Sequence, residues 1–409
     1  MADQKKRRTL RLLGFGGAAL LVVGAGGGWV VTRTPREATE PWRIAGEPHE
    51  DPRITILRWA VLAPSSHNLQ PWIADLSEPG VVTVLPDTGL LLPRTDPFAR
   101  QTVVSLGGFL EAIDLAAAAN GFATETTLFP EGVYPMSLDD RPVARIALAE
   151  NPEAEPDVLF DQLGARRTIK TAYDPGRPPP PETLEYLRRG AEASRVAFGA
   201  ETSPDAVAPL REIVREAGIR ELMTPRVQAE TVAVMRIGKA EINANPDGIA
   251  LQGPAIEAMA AAGMVTRSAM MDPESTAFRQ GVTMYEEQAA GTPAFVWLAT
   301  ERNDRESQVA AGRSWLRMQL EATARGLALH PMSQALQEYQ EVSEFYDAVH
   351  TRLGLGGRLG TIQMLARAGY ADPPGHPQPR WAAADKLVGG AGTAAQRPNL
   401  RVPESAFRA

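Results

Sequence analysis

At 409 residues the chain exceeds one ordinary domain, and 44% hydrophobic with 22% charged residues is the composition of a folded protein. The formal charge is −7, but residues 1–33 hold six basic and one acidic residue, so the rest carries 36 basic against 48 acidic, a balance of −12 that makes it a poor general binder of nucleic acid. The absence of cysteine excludes disulfides, thiolate metal sites and a cysteine nucleophile, and no two of the five histidines (His49, His67, His330, His350, His376) stand at helical metal-ligand spacing, so no metal site is expected.

Residues 5–13 read KKRRTLRLL and are followed by twenty uncharged residues from Leu12 to Val31, the pattern of a signal or membrane anchor. The Arg7-Arg8 pair with Leu10 resembles a twin-arginine signal, the preferred reading of 1–33; an ordinary signal anchor is the alternative. Either places the body outside the cytoplasmic membrane, cleaved or retained on its tether. Residues 34–50 mix Pro, Gly and charge and are expected to be a linker. The spacing predicts a helix over 54–63 stopped at Pro64, a strand at 81–85, a long apolar helix over 102–121 closed by Gly121, and a strand at 143–149. A second series is expected from Val158: helices at 158–167 and 181–194, a strand at 294–299, a helix at 308–325, and then the segment 326–334. Residues 382–409 lack a core pattern and are expected to be a mobile tail.

Three strings carry chemistry. Residues 64–72, PSSHNLQPW, put two hydroxyls and the amides of Asn68 and Gln70 on a loop after a helix stop, donors and acceptors suited to a heteroaromatic edge and a polyol. Residues 166–174, RRTIKTAYD, concentrate cations before a proline-rich stretch. Residues 354–380 run from a glycine-rich turn through an apolar strand with Arg367-Ala368-Gly369-Tyr370 to Arg380, whose guanidinium suits a phosphate; Arg358 is a second candidate there. Taken singly, the first string is also a helix-stop turn, with Trp72 as core, and the second a solvated basic segment.

Together these strings resemble the FMN-binding nitroreductase superfamily, specifically its Acg-like branch, in which two nitroreductase-like halves are fused behind an export-type N-terminus. Ala63, Pro64, Ser65, Asn68, Gln70, Pro71 and Trp72 match the flavin loop Ala-Pro-Ser-x-x-Asn-x-Gln-Pro-Trp. Arg166 to Asp174 is similar to the signature Arg-Arg-Ser-x-Arg/Lys followed by an aromatic and Asp-Pro, with Thr168 in place of Ser and one extra residue before Tyr173. The resemblance implies an α+β fold, a mixed sheet flanked by helices in each of two halves (51–150 and 158–381) that form an intramolecular pseudo-dimer, with a lid at 195–290. Each half-site element occurs once, so it implies one FMN per chain in a monomer. Pro64, Ser65, Ser66, Asn68 and Gln70 would meet the flavin's pyrimidine edge and ribityl chain, and Arg166, Arg167 and Arg380 would lie about the phosphate. Thr168 would contact the ribityl chain, Lys170 would stabilise charge at N1 and O2, and Met332 or Ser333 would give a backbone N–H to N5. The implied chemistry is hydride transfer from NAD(P)H or another small-molecule donor to a nitroaromatic or quinone, with no catalytic protein residue beyond the flavin's neighbours. A flavin-sequestering protein with little turnover is the alternative.

Overall fold

The computed structural model describes residues 34–194, 196–355, 360–371 and 375–388. The signal or anchor segment 1–33, Arg358 and most of the expected tail lie outside the described residues. The helices are α1 (Glu40–Ile44), α2 (Pro52–Ala60), α3 (Arg100–Ala119), α4 (Pro181–Glu192), α5 (Pro204–Leu222), α6 (Pro225–Ala233), α7 (Gly238–Ala244), α8 (Pro254–Ala261), α9 (Arg267–Met271), α10 (Thr276–Ala290), α11 (Arg305–Ala324) and α12 (Ser343–Arg352). Proline in the first turn, where an N–H has no intrahelical partner, opens several of them. Side-chain caps start others: Asp51 accepts from the Arg53 N–H at 2.9 Å, and Asp304 from the Ser307 N–H at 2.9 Å.

The strands are β1 (Trp72–Asp75), β2 (Val81–Pro86), β3 (Phe122–Leu128), β4 (Ala144–Glu150), β5 (Ala197–Glu201), β6 (Met235–Ile237), β7 (Ile249–Leu251), β8 (Ala294–Thr300), β9 (Ala328–Pro331), β10 (Thr361–Gly369) and β11 (Leu387–Val388). The fold is α+β. One sheet has the order β11-β1-β2-β4-β3 and is mixed: β11 runs parallel to β1, while the other pairings are antiparallel. The second has the order β5-β8-β10-β9 and is antiparallel throughout. β6 and β7 form a separate parallel pair.

Helices α3 and α11, each twenty residues long, pack against one another between the two sheets. They cross on glycine: a Cβ on Gly107 would stand 2.2 Å from the Val309 carbonyl oxygen, and one on Gly312 would stand 2.0 Å from that of Val104. The backbones are in direct contact, so neither position has room for a side chain. Beside the crossing, Arg313 and Arg317 of α11 bond Glu111 of α3 at 3.0 and 2.7 Å. The first core, with Ile56, Leu62, Trp72, Phe109 and Ile113, also takes in Val309, Leu316 and Leu320 of α11. Trp72 stacks on Phe109 at 4.6 Å, so it is a core residue.

Several sequence expectations are corrected. The linker at 34–50 is folded: α1 follows a 3-10 turn at Glu37–Thr39, and Ala38 and Ala45 are buried. The helix at 158–167 is only a 3-10 turn, Phe160–Gln162, because the chain beyond it opens to bury Arg166. The expected lid at 195–290 begins with β5, a strand of the second sheet, and its Val207, Leu210, Val214 and Ala217 on α5 lie in a core with Phe295 and Leu365. The expected tail at 382–409 opens with a 3-10 turn at Ala383–Lys386 and then β11, a strand of the first sheet. β3, with strictly alternating exposure at the sheet edge, was not expected.

Candidate functional site

After α2 ends, the chain turns through Pro64 into a loop in which His67, Asn68 and Gln70 all have left-handed backbone, at φ 47°, 59° and 54°. Three such non-glycine residues together cost of order 1–3 kcal/mol each and persist only where the surroundings impose them. The impositions are specific. The Gln70 N–H donates to Ser65 Oγ at 2.9 Å, the Ser66 N–H donates to Ser105 Oγ at 3.0 Å, and Ser66 Oγ donates to Gln101 Oε1 at 3.2 Å. Gln70 is fully buried: its Nε2 donates to the Pro246 carbonyl at 2.9 Å and its Oε1 accepts the Trp381 N–H at 2.9 Å. Its amide therefore pins the loop to two distant segments and is not free to meet a ligand. Asn68 is a bridge, with Nδ2 donating to the Pro379 carbonyl at 3.1 Å and Oδ1 accepting from Arg380.

The C-terminal end of α2 gathers cations. Arg166 Nη2 donates to the Leu62 carbonyl at 3.0 Å and Nη1 to Gln319 Oε1 at 2.9 Å. Arg380 Nη2 donates to the Ala63 carbonyl at 3.2 Å. Both guanidiniums are buried, and both Nε atoms lack a partner among the described residues. Arg167 is half-buried alongside and donates to the Gly164 carbonyl at 2.9 Å. The helix C-terminus supplies partial negative charge, but among the described residues no carboxylate pairs with any of the three. Burial, and then the Arg167 charge, pulls Arg166 down to about 9; burial, and then Arg166 and Arg167, holds Arg380 well below its usual range. Cations gathered in this way suit an anion.

Further along the same string, the Lys170 ammonium has no hydrogen bond or ion pair among the described residues. It remains accessible, yet burial lowers its pKa. His67 and His330 are near enough to feel it: burial first, and Lys170 after it, lowers His67 to about 4, while burial, Arg367 and Lys170 keep His330 well below its ordinary value. Both imidazoles are neutral at pH 7. His330 Nδ1 accepts from Arg367 Nε at 3.0 Å, which fixes its tautomer. Arg367 is fully buried over the Tyr173 ring at 4.0 Å and leaves Nη1 unpartnered.

Of the expected N5 donors, Met332 is corrected: its N–H donates to the Leu365 carbonyl at 2.8 Å and its side chain is core. It extends the pairing of β9 with β10. Ser333 begins the next 3-10 turn, and in that turn Gln334 Nε2 donates to Tyr285 Oη at 3.0 Å. Glu221, buried nearby, is pushed up to about 7, chiefly by burial. Thr168 follows the arginines with its hydroxyl unpaired among the described residues. Three residues were missed in the sequence: Arg367, visible only as a charge inside an apolar strand; Gln319, on the long helix; and Trp42, in the presumed linker. Trp42 lies 5.9, 4.3 and 5.2 Å from the guanidinium carbons of Arg166, Arg167 and Arg380.

No family model matches the chain. Its similarity runs to proteins that carry nitroreductase names. Two from strains of Mycobacterium tuberculosis, each provisionally named an NAD(P)H nitroreductase, are 27% identical over 341 residues, covering 80% of this chain and 87% of their own. Among solved structures, a provisionally named nitroreductase from Anabaena variabilis aligns at 10% identity over 81% of this chain and 91% of its own, with a TM-score of 0.41. The FMN-dependent nitroreductase NfnB from Mycobacterium smegmatis, solved with NADPH, aligns at 19% identity over 52% of this chain and 86% of its own, with a TM-score of 0.31.

Proposed function

We infer that the chain is a nitroreductase-type flavoprotein of the fused, Acg-like kind, which holds one FMN non-covalently where its two halves meet. It would pass electron pairs from NAD(P)H or another donor to a nitroaromatic or quinone-type acceptor, in an extracytoplasmic location reached by the twin-arginine or signal-anchor route. The observation that carries this reading is the convergence of Arg166, Arg167 and Arg380 beside the end of α2, with no carboxylate paired to them among the described residues. A phosphate dianion would satisfy the open Nε atoms of Arg166 and Arg380 with charge-assisted bonds. The relatives' shared nitroreductase name supports the same reading.

The residues fit FMN at both ends. Arg166, Arg167 and Arg380 would hold the phosphate, Thr168, Ser65 and Ser66 would meet the ribityl hydroxyls, and Lys170 would offer the ring an ammonium that is unpaired among the described residues. FMN, when bound, supplies the hydride chemistry at its N5. The chain's part would be to bind and orient it, to exclude water, and to set Lys170 where electron density accumulates on reduction, which a nearby cation favours. His67 and His330, neutral at pH 7, add no competing charge there. Asn68 and Gln70 serve by holding the loop and Arg380 in place.

A second reading, storage of flavin without turnover, is favoured by the way the 225–290 region touches both site strings. Gln288 of α10 donates to the Lys170 carbonyl at 3.0 Å, and the Gly248 N–H donates to the Asn68 carbonyl at 3.2 Å. The test is to purify the full chain, extract and count its flavin, and add NAD(P)H without oxygen. One FMN per chain that bleaches supports the enzyme; two per chain, or none, refutes the single site; one that stays oxidised assigns the storage role.

A further inference from the structure

The ring of Trp42 is the common neighbour of all three cations in the cluster. Distances of 4.3 to 5.9 Å to the centroid are within the range over which a ring quadrupole attracts a cation, and indole is the strongest such ring. The segment around it is sewn down on three sides. Trp42 Nε1 donates to the Gln378 carbonyl at 2.7 Å, the Ala38 carbonyl accepts the Arg380 N–H at 2.8 Å, and the Ala38 N–H donates to Asn243 Oδ1 of α7 at 3.4 Å. The backbone of Arg380 is therefore held by the segment whose ring covers its guanidinium.

We propose that residues 37–44 form a strap belonging to the phosphate site, with Trp42 as the positioning residue that gathers and covers Arg166, Arg167 and Arg380 for an incoming phosphate. Three like charges gathered in one place repel each other, and the carbonyls just past α2, the Gln319 and Asn68 side-chain oxygens and the indole face offset that repulsion before the dianion arrives. The ring also closes the cluster from water, which strengthens each charge-assisted bond. When the dianion binds, the cations are fixed, and the strap is fixed with them. The strap directly follows the export-type segment 1–33, so occupancy of the phosphate site determines how firmly the chain next to that segment is held.

The proposal rests on the flavin reading, and its test separates the two. Full-length chain in mild detergent is titrated with FMN, with riboflavin, which lacks the phosphate, and with inorganic phosphate. Trp42→Ala should weaken FMN binding roughly tenfold or more while riboflavin binding changes less than about twofold, and Trp42→Phe should recover most of the loss. Limited trypsinolysis at Arg36 and Arg43 should slow with FMN or inorganic phosphate but not with riboflavin. Equal FMN binding by Trp42→Ala and parent, or equal losses for FMN and riboflavin, overturns the strap. If the parent binds no flavin but inorganic phosphate still protects Arg36 and Arg43, the strap stands and the flavin reading falls; without either effect, both fall.

Discussion

Arg166 gives the sharpest test of the site, because its charge should act in opposite directions with and without ligand. In the ligand-free chain the guanidinium is buried and pulled from 12.5 down to about 9. That is on the order of 5 kcal/mol against the charged form, at about 1.4 kcal/mol per pKa unit. Against it stand two bonds, to the Leu62 carbonyl and to Gln319 Oε1, each worth about 1.5–3 kcal/mol for a charged donor. Arg166→Met keeps the aliphatic bulk, removes the unfavourable charge and gives up both bonds, so ligand-free stability should shift by no more than about 2 kcal/mol in either direction. FMN affinity should nevertheless fall ten- to a hundred-fold, the loss of one charge-assisted contact to a dianion. Fluorescence titration gives the dissociation constant, and urea unfolding with and without FMN gives both stabilities. A variant that binds FMN like the parent would remove Arg166 from the phosphate site. One that loses far more stability without ligand would make the arginine structural.

Three further outcomes follow from the structure. Gly107→Ala should destabilise by about 2 kcal/mol or more, since its Cβ would meet the Val309 carbonyl at 2.2 Å, whereas Gly108→Ala, with its nearest neighbour at 3.5 Å, should be neutral or stabilising; equal urea midpoints would mean that the helices are not in backbone contact. Glu221, with a folded pKa near 7 against an ordinary 4.5, retains a proton that the unfolded chain releases, so it lowers stability as pH rises between those values, by about 3 kcal/mol at most. His67, near 4 against an ordinary 6.5, acts in the opposite sense and lowers stability as pH falls from 6.5 to 4. Glu221→Gln should therefore show a steeper loss toward acid than the parent in denaturant titrations, and superimposable pH profiles would contradict the burial of Glu221. Changing Arg7 and Arg8 together to Lys should abolish translocation of the folded, flavin-loaded chain by the twin-arginine route; unimpaired export would leave the signal anchor.

The strings that could be read in the sequence are those with several residues at fixed local spacing, Ser65 to Gln70 and Arg166 to Lys170. The structure brings Arg166 and Arg380 to adjacent carbonyls at the end of one helix. What could not be read depends on contacts between distant positions. Trp42 sits among prolines, glycines and charges, and it has meaning only against arginines that follow it by more than a hundred residues. The Met332 N–H is occupied because of the register of β9 against β10, which local sequence does not fix. The 158–167 segment has helical composition, but burial of Arg166 outweighs local propensity there. β11 is too short to carry a pattern, and it is a strand only because β1 offers an edge.

The pairing of β11 with β1, together with the reach of Arg380 to Leu62 across 318 positions, bears on when the protein can mature. On the ribosome the first half emerges early with its sheet short of one strand and its helix end short of one arginine. Everything from α3 to β10 must be synthesised before either gap is filled. Neither the first sheet nor the arginine cluster can be finished during translation of the first half, so the proposed phosphate site is completed late. A chain cut just before Arg380 would retain most of its core and lose one of that cluster's three arginines and the β11 edge of the first sheet.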